Sequence, residues 1–244
     1  MIPIGDRLRT RTVPWVNYAL IAVNFIAFFY ELTLSTRPQA EIVRGFVRVS
    51  PPPRDVWIYE WGLIPRQLSQ YLQSPSAHDW QVLERLITSQ FIHAGWLHIL
   101  GNMLFLWVFG DNVEDALGHL RYLLFYLVCG VIAALAQVYA DRNALGAVVG
   151  ASGAIAGILG SYLALYPGAT VSVIIPIVII PFFARVPAFL VMIVWFLSQV
   201  VSLAPTANAT GGSGGVAYAA HIGGFVAGFL LVRLVATRRR SLPG

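Results

Sequence analysis

The feature that most constrains this chain is a long segment that is almost free of charge. From Asn143 to Val232, the only Asp, Glu, Lys or Arg residue is Arg185. Over the whole chain 57% of the residues are hydrophobic and 11% are charged, whereas a soluble domain carries about 25% charged residues. Backbone groups that enter hydrocarbon must be hydrogen-bonded, and a helix pairs them within its own segment. The sequence therefore predicts an all-α polytopic membrane protein, with a single domain over residues 1–244.

Six segments have the composition of membrane helices. Crossing a bilayer takes about 17–25 mostly apolar residues. The predicted spans are span 1 (about 12–32), span 2 (about 96–112), span 3 (about 120–140), span 4 (about 152–166), span 5 (about 186–203) and span 6 (about 216–235). The predicted fold is accordingly a six-helix bundle in the lipid bilayer.

Two connecting segments leave alternatives open. The long loop 33–85 contains Trp57, Trp61 and Trp80, and such rings favour the membrane interface. We expect short helices lying in that interface, and the alternative is a plain solvated connector. The apolar segment 169–184, which is broken by prolines, is either a further span or a connector that follows the membrane surface. The uncharged, glycine-rich loop 204–215 is typical of a mobile cap.

Charge at the two ends predicts the topology. The formal net charge is +5 and every Lys or Arg position is Arg, with clusters at residues 7–11 and at 238–240. By the positive-inside rule both ends lie in the same compartment, so the number of spans is even and 169–184 is a connector. Arg residues in the 33–85 loop weaken this orientation. No basic stripe among aromatic residues supports nucleic-acid binding, and the single Cys129 excludes an intrachain disulfide.

Ser152 stands at the start of span 4, which Pro167 ends early. About 15 residues reach about 22 Å at 1.5 Å per residue, less than the roughly 30 Å of a hydrocarbon core. Ser152 should therefore lie below the membrane surface, where a polar group is a functional hypothesis by default. Taken alone, however, a serine in a membrane helix more often only bonds backbone or a neighbour.

A histidine near the matching end of span 6 changes that interpretation. His221 and Ser152 lie near the same end of helices that run in the same direction. Both helices carry GxxxG patterns, which let helix backbones approach closely. The predicted packing glycines are Gly153, Gly157, Gly224 and Gly228. Close packing would place the Ser152 hydroxyl within hydrogen-bond reach of the His221 imidazole, the base that a weak nucleophile needs.

Span 2 offers further polar groups at the same end. His98 and Asn102 are four residues apart and share a helix face, where their donors and the free backbone N–H groups at the start of span 4 could stabilise an oxyanion. A plain interhelical hydrogen bond is the alternative for Asn102, and His93 more simply lines the loop. No membrane-embedded Asp or Glu is available to orient His221, so the prediction is a Ser-His dyad. No metal-binding spacing is present, and neither a metal nor a cofactor is predicted.

These residues resemble the rhomboid family of intramembrane serine proteases. The resemblance rests on Gly150-Ala-Ser152-Gly153, on Ala220-His221-x-x-Gly224-x-x-x-Gly228 and on His98-x-x-x-Asn102, and it extends to Phe91-Ile-His93, to Gly110 and Glu114 and to Trp61-Gly-Leu-Ile-Pro65. It covers nearly the whole chain in the family's order.

The resemblance implies a fold, a reaction and a location. The fold is a rhomboid-like bundle of six transmembrane helices, with both termini cytoplasmic and the site open to the external face, in a bacterial inner membrane. The reaction is hydrolysis of peptide bonds in or near transmembrane segments of other proteins, through an acyl-enzyme. Ser152 is the nucleophile, His221 the base and then the acid, and His98, Asn102 and the Ser152 N–H bind the oxyanion.

One position departs from the pattern, and two other functions remain open. Some rhomboids carry an aromatic residue four positions after the serine, against the catalytic imidazole, where this chain has Ala156. Tyr218 or the backbone of span 4 could take its place. The alternatives are a non-catalytic rhomboid-like protein that binds transmembrane helices, and a small transporter, for which a broken helix is also typical but coupling carboxylates are lacking.

Overall fold

The computed structural model describes residues 1–43, 46–76, 79–177, 180–206 and 217–236, and these are mostly helical, as predicted. In chain order, the elements of these residues are β1 (Ile2–Asp6), α1 (Trp15–Thr33), β2 (Gln39–Val43), β3 (Phe46–Ser50), α2 (Pro53–Trp61), α3 (Pro65–Gln73), α4 (Gln81–Thr88), a 3-10 turn (Ser89–Phe91), α5 (Trp96–Leu117), α6 (His119–Ala140), α7 (Ser152–Leu165), β4 (Thr170–Ile177), β5 (Ile180–Pro187), α8 (Ala188–Thr206) and α9 (Tyr218–Val235). Most of the predicted cap loop 204–215 and the arginines at 238–240 lie outside the described residues.

Several helices have the dimensions of membrane spans. Among the described residues, α1, α6 and α9 are long and apolar enough to cross a membrane. Helix α4 with its 3-10 turn joins α5 in a bent pair that passes the same test, with an angle of 81° between the two parts. Helices α7 and α8 are apolar but shorter. The fold is thus a helical, polytopic membrane fold, and the number of six spans stays a prediction.

The helices give the bundle two distinct ends. Helices α5, α7 and α9 all begin at one end, where His98, Ser152 and His221 lie, and we call it the site end. At the opposite end, α7 leads into β4, and β1 pairs antiparallel with β4. We call this the sheet end.

Helices α7 and α9 form the most extensive helix pair in the described chain. An added Cβ on Gly224 would meet the carbonyl oxygen of Gly153, and one on Gly228 would meet that of Gly157. The Ser161 hydroxyl donates to the carbonyl oxygen of Gly157 and lies 3.2 Å from that of Gly228. Backbone thus packs directly on backbone, and this close approach sets the distance between the two helix starts.

The apolar segment 169–184, predicted as either a further span or a connector, belongs to a β-hairpin. Strands β4 and β5 pair antiparallel from Thr170 opposite Pro187 to Ile177 opposite Ile180, and the sheet order is β1-β4-β5. The two facing prolines, Pro176 and Pro181, disfavour a helix here, while β-branched residues favour strands. The hairpin connects α7 to α8 at the sheet end, so the predominantly α-helical fold contains strands that the sequence analysis did not predict.

The loop 33–85 is largely structured. It contains helices α2 to α4 and a two-stranded sheet of β2 and β3. The Trp57 ring packs edge-on against Tyr30 of α1, with 4.9 Å between ring centroids, and lies 5.3 Å from Trp61. This aromatic cluster attaches α2 to the C-terminal end of α1. Its place in the membrane interface stays a prediction.

Two carboxylates of α5 fix the start of α1 at the sheet end. The Glu114 carboxylate accepts hydrogen bonds from the backbone N–H groups of Val16 and Asn17, at 3.0 and 2.7 Å. Asp115 accepts from the N–H groups of Arg11 and Thr12, at 3.0 Å each. A helix N-terminus leaves N–H groups such as those of Val16 and Asn17 unpaired and partly positive, so the buried Glu114 carboxylate is stabilising here, while Asp115 holds the segment that precedes the helix.

Candidate active site

Ser152 occupies the first position of α7, after a turn that only glycine adopts readily. Gly150 has a φ of +122°, and its N–H donates to the carbonyl oxygen of Ser89 at 2.8 Å. The first N–H groups of a helix have no partner within it. The turn therefore brings the Ser152 side chain and a set of free backbone donors to the same place.

His221 contacts Ser152 directly. Its Nε2 lies 2.7 Å from the Ser152 Oγ, a normal hydrogen-bond distance. His221 is 8% exposed, so bulk water competes little for this bond. The structure thus brings together the two residues that the sequence analysis paired, at the end where α7 and α9 begin.

The other ring nitrogen of His221 contacts Gln199 of α8. The distance from Nδ1 to Gln199 Oε1 is 2.7 Å. The Gln199 amide nitrogen donates to the Ser198 Oγ at 2.9 Å, and the Ser198 hydroxyl in turn donates to the carbonyl oxygen of Trp195 at 2.5 Å. This chain of bonds orients the amide with its oxygen toward His221.

That orientation selects one tautomer of the imidazole. An amide oxygen only accepts, so Nδ1 carries the proton and Nε2 presents its lone pair. The Ser152 hydroxyl can then donate to Nε2. This is the arrangement in which an imidazole can remove a proton from a serine.

Aromatic rings from α8 and α9 surround the imidazole. The Trp195 ring lies 5.8 Å from it at an angle of 36°, and the Tyr218 ring lies 6.4 Å away, edge-on. The Tyr218 contact was one of the two that the sequence analysis considered in view of Ala156. Trp195 also stacks near Phe225 of α9. Rings from α8 and α9 therefore lie beside His221, whereas Ala156 is small and fully buried.

His98 and Asn102 lie beside the turn that precedes Ser152. An added Cβ on Gly150 would come within 2.6 Å of His98 Nε2 and 3.6 Å of Asn102 Nδ2. The Ala94 N–H points to His98 Nδ1 at 3.4 Å, so Nδ1 is the acceptor and Nε2 carries the proton. The buried Asn102 Nδ2 has no hydrogen-bond partner among the described residues. Two N–H donors therefore face the turn at Gly150.

His93 lies behind His98 and does not reach Ser152 through any described contact. Its ring is fully buried and packs edge-on against the His98 ring, with 5.1 Å between centroids. Its backbone N–H donates to the buried Glu31 carboxylate of α1 at 3.1 Å. His93 thus supports the loop that holds His98. Among the described residues, no group of three or more His, Cys, Asp or Glu is placed to hold a metal ion.

Three residues of the site were missed by the sequence analysis. Gln199 and Trp195 come from α8, and Gly150 was named only within the motif Gly150-Ala-Ser152-Gly153, without a role of its own. Gln199 carried a signal, since a polar side chain inside a predicted span is a functional hypothesis by default. Its pairing with His221 depends on how α8 packs against α9, which no spacing in the sequence states.

The family model of the Rhomboid domain matches residues 80–238, which is more than half of the chain. The chain belongs to the rhomboid family.

The relatives of this rhomboid are distributed across eukaryotes and bacteria. It is 26% identical over 242 residues to RHOMBOID-like protein 5 of Arabidopsis thaliana, covering 90% of the chain and 68% of the relative. It is 32% identical over 152 residues to Rhomboid protein 1, mitochondrial, of Saccharomyces cerevisiae, covering 59% of the chain and 40% of the relative. It is 40% identical over 79 residues to Putative rhomboid protease YdcA of Bacillus subtilis, covering 32% of the chain and 39% of the relative.

Family membership and the apolar helices make this rhomboid an integral membrane protein. Membership also supports a function of the intramembrane protease type. The chain spans only part of the length of these relatives.

Proposed function

We propose that this rhomboid is an intramembrane serine endopeptidase, with Ser152 as nucleophile and His221 as general base. The observation that carries the proposal is the 2.7 Å contact between His221 Nε2 and Ser152 Oγ. A serine hydroxyl is a weak nucleophile unless an adjacent base removes its proton. A half-buried serine paired with a buried histidine is more than packing requires, because polar groups within a membrane are costly.

In the proposed reaction, Ser152 Oγ attacks the carbonyl carbon of the scissile peptide bond while its proton passes to His221 Nε2. The carbonyl oxygen of the tetrahedral intermediate takes the negative charge. His98 Nε2–H, Asn102 Nδ2–H and the Ser152 N–H are the proposed donors to it. Donors that are already oriented act strongly in a site with little water.

The protonated His221 then gives its proton to the leaving amine, and the C–N bond breaks to leave an acyl-enzyme on Ser152. A water molecule, deprotonated by the same imidazole, attacks the ester and releases the carboxylic acid. The proton returns to Ser152 Oγ as the C–O bond breaks. Apart from the substrate and the water molecule, these steps use only side chains and backbone of the chain, so the proposal includes no metal and no cofactor.

The proposed substrates are transmembrane proteins in the same bilayer. The site lies at the starts of three apolar helices, where a peptide bond near the end of a membrane helix can reach it. Both described ends of the chain lie at the sheet end, which fits a topology with both termini cytoplasmic and the site toward the external face of a bacterial inner membrane. This orientation belongs to the proposal.

The test is cleavage of a single-span fusion protein in proteoliposomes by wild type and by Ser152→Ala. The proposal requires that wild type yields two fragments and the variant yields neither. A fluorophosphonate probe, which phosphonylates activated serines, should label wild type but neither Ser152→Ala nor His221→Ala. Equal cleavage by wild type and Ser152→Ala would refute the serine mechanism, and labelling that survives His221→Ala would refute the dyad. Substrate retained on pull-down without any cleavage would favour the non-catalytic alternative.

A further inference from the structure

Gln199 occupies the place beside His221 that a carboxylate holds in a catalytic triad. Its Oε1 lies 2.7 Å from His221 Nδ1, on the side of the ring opposite Ser152. A rotated amide would place its NH2 group against Nδ1 and would force the proton onto Nε2. An imidazole with its proton on Nε2 cannot accept from Ser152. The orientation of one amide therefore decides whether the base is active.

The structure fixes that orientation from the far side of the amide. The Ser198 hydroxyl donates its only proton to the Trp195 carbonyl oxygen, so its oxygen is left as an acceptor for the Gln199 NH2 group at 2.9 Å. The Trp195 carbonyl oxygen is a second acceptor, 3.4 Å from the same nitrogen. Because both acceptors need a donor, the Gln199 NH2 group faces them, and the amide oxygen faces His221.

We propose that Gln199 is a positioning residue that holds His221 in the tautomer able to deprotonate Ser152, which makes α8 a functional part of the site. This proposal rests on the proposed serine mechanism. Displacing α8 from α9 would separate Gln199 from Nδ1 and inactivate the base.

The test measures the rate of fluorophosphonate labelling between pH 5 and pH 9. Gln199→Met keeps the length of the side chain but has no acceptor for Nδ1–H, so we expect labelling to fall by about 10-fold at every pH. Gln199→Glu restores an acceptor and adds negative charge, which favours the imidazolium. Its labelling rate should approach that of wild type at alkaline pH. On the acid side, the pH at which the rate is half-maximal should rise by about one unit.

The remaining groups that face His221 are the same in both Gln199 variants, so a shift of the acid limb belongs to residue 199. They are Tyr218 on its own helix, His98 on α5, Trp195 on α8 and Ser152 on α7. Gln70→Met, at an exposed position of α3, is the matched control and should label like wild type. A melting curve of each variant checks that the protein is folded under the labelling conditions.

A Gln199→Met protein that labels at the wild-type rate would overturn the positioning role. So would equal losses in both Gln199 variants at every pH, because that result describes a packing residue only. A wild-type protein that is not labelled would refute the proposed serine mechanism itself. The two failures are therefore distinguishable.

A second, independent observation concerns the β4–β5 hairpin at the sheet end. Alternate residues of a strand point to opposite faces of the sheet. Val171 and Val173 are fully buried and Ile175 packs against the core, so this face turns toward the helices. Phe182 pairs with Ile175 across the strands and belongs to the same face.

The face of the hairpin that turns toward the helices continues past the edge of the bundle. Phe182 is 56% exposed and Ile180 is 69% exposed, although both lie on the face that is buried at Val171. The hairpin leads directly into α8, where Phe189 and Ile193 are also exposed. Because β5 is an edge strand, its unpaired backbone groups need water or lipid headgroups as partners.

We infer that the end of the hairpin is an interfacial anchor, with Phe182 and Ile180 in the lipid bilayer at the level between headgroups and acyl chains. Amphipathic segments bind at that level with one face in lipid and the other in water. The opposite face carries Arg185, which pairs across the strands with Ser172, and also Phe183, which is 66% exposed.

The test uses single cysteines, one in each variant, in a Cys129→Ala protein, with an environment-sensitive NBD label. In phosphatidylcholine proteoliposomes, the label at Phe182→Cys should be quenched by lipids that carry a spin label near the headgroup. The label at Arg185→Cys, on the opposite face, should be quenched mainly by aqueous iodide. Equal iodide quenching at both positions would refute the anchor. Disulfide cross-linking of Phe182→Cys between two copies, without lipid quenching, would assign the surface to self-association instead.

Discussion

Replacing Gly150 with alanine should damage the oxyanion site more than it damages the fold. The residue has a φ of +122°, and forcing a side chain into such backbone costs about 1–3 kcal/mol. At about 2–4 °C per kcal/mol for a chain of this size, the melting temperature should fall by about 2–12 °C.

The larger effect comes from the neighbouring imidazole. An alanine Cβ would lie 2.6 Å from His98 Nε2, so the ring must move by several tenths of an ångström or more. His98 is held on its far side by the Ala94 N–H and by the His93 ring, which limits its retreat. A misplacement of about 1 Å in a reacting group can cost about 100-fold in rate, and we expect fluorophosphonate labelling of Ser152 to slow by that order.

Gly101→Ala is the matched control. It lies on α5 between His98 and Asn102, and an added Cβ would meet nothing within 4 Å. Alanine is favoured over glycine in a helix by about 0.5–1 kcal/mol, so this variant should melt no lower than wild type and label at the same rate. Labelling of folded Gly150→Ala at the wild-type rate would refute the placement of His98 as an oxyanion donor. An unchanged melting temperature would refute the strain at Gly150.

Three further outcomes are expected. Asn102→Ala should lower turnover by about 10- to 1000-fold with little loss of stability, because a donor to an oxyanion is worth about 3 kcal/mol; cleavage kinetics check this, and unchanged turnover would return Asn102 to a packing role. Gly228→Ala should destabilise the protein by about 1–3 kcal/mol, because the new Cβ meets the Gly157 carbonyl oxygen; a melting curve like that of wild type would contradict the close packing of α7 on α9. Glu114→Gln should lower stability by about 1–3 kcal/mol, because the buried carboxylate accepts two N–H groups at the start of α1; denaturant titration checks it, and no change would mean that water replaces the carboxylate.

Helix positions were accessible to sequence reasoning because bilayer thickness restricts them. The charge-free segment and the apolar runs indicated a helical membrane protein, and the structure has helices on all six predicted segments. The strands at the sheet end were missed, since a short apolar run with prolines has no periodicity that separates a connector from a hairpin.

Ser152 and His221 could be paired from the sequence because both helices carry small residues at regular spacing and start at the same end. His98 and Asn102 followed from their spacing of four residues. The catalytic roles of all four residues stay proposals, which the cleavage and labelling experiments test.

What the sequence by itself determined was the set of helices, the glycine faces along which two of them can meet, and the polar residues that must have partners in lipid. Only the tertiary structure decided how His221 is oriented. Gln199 and Trp195 come from α8, whose rotation and depth relative to α9 depend on packing across the whole bundle. The direction of the Gln199 amide depends further on the Ser198 hydroxyl and the Trp195 carbonyl oxygen. Hydrogen bonds between helices are set by such three-dimensional contacts, and no local pattern in the chain encodes them.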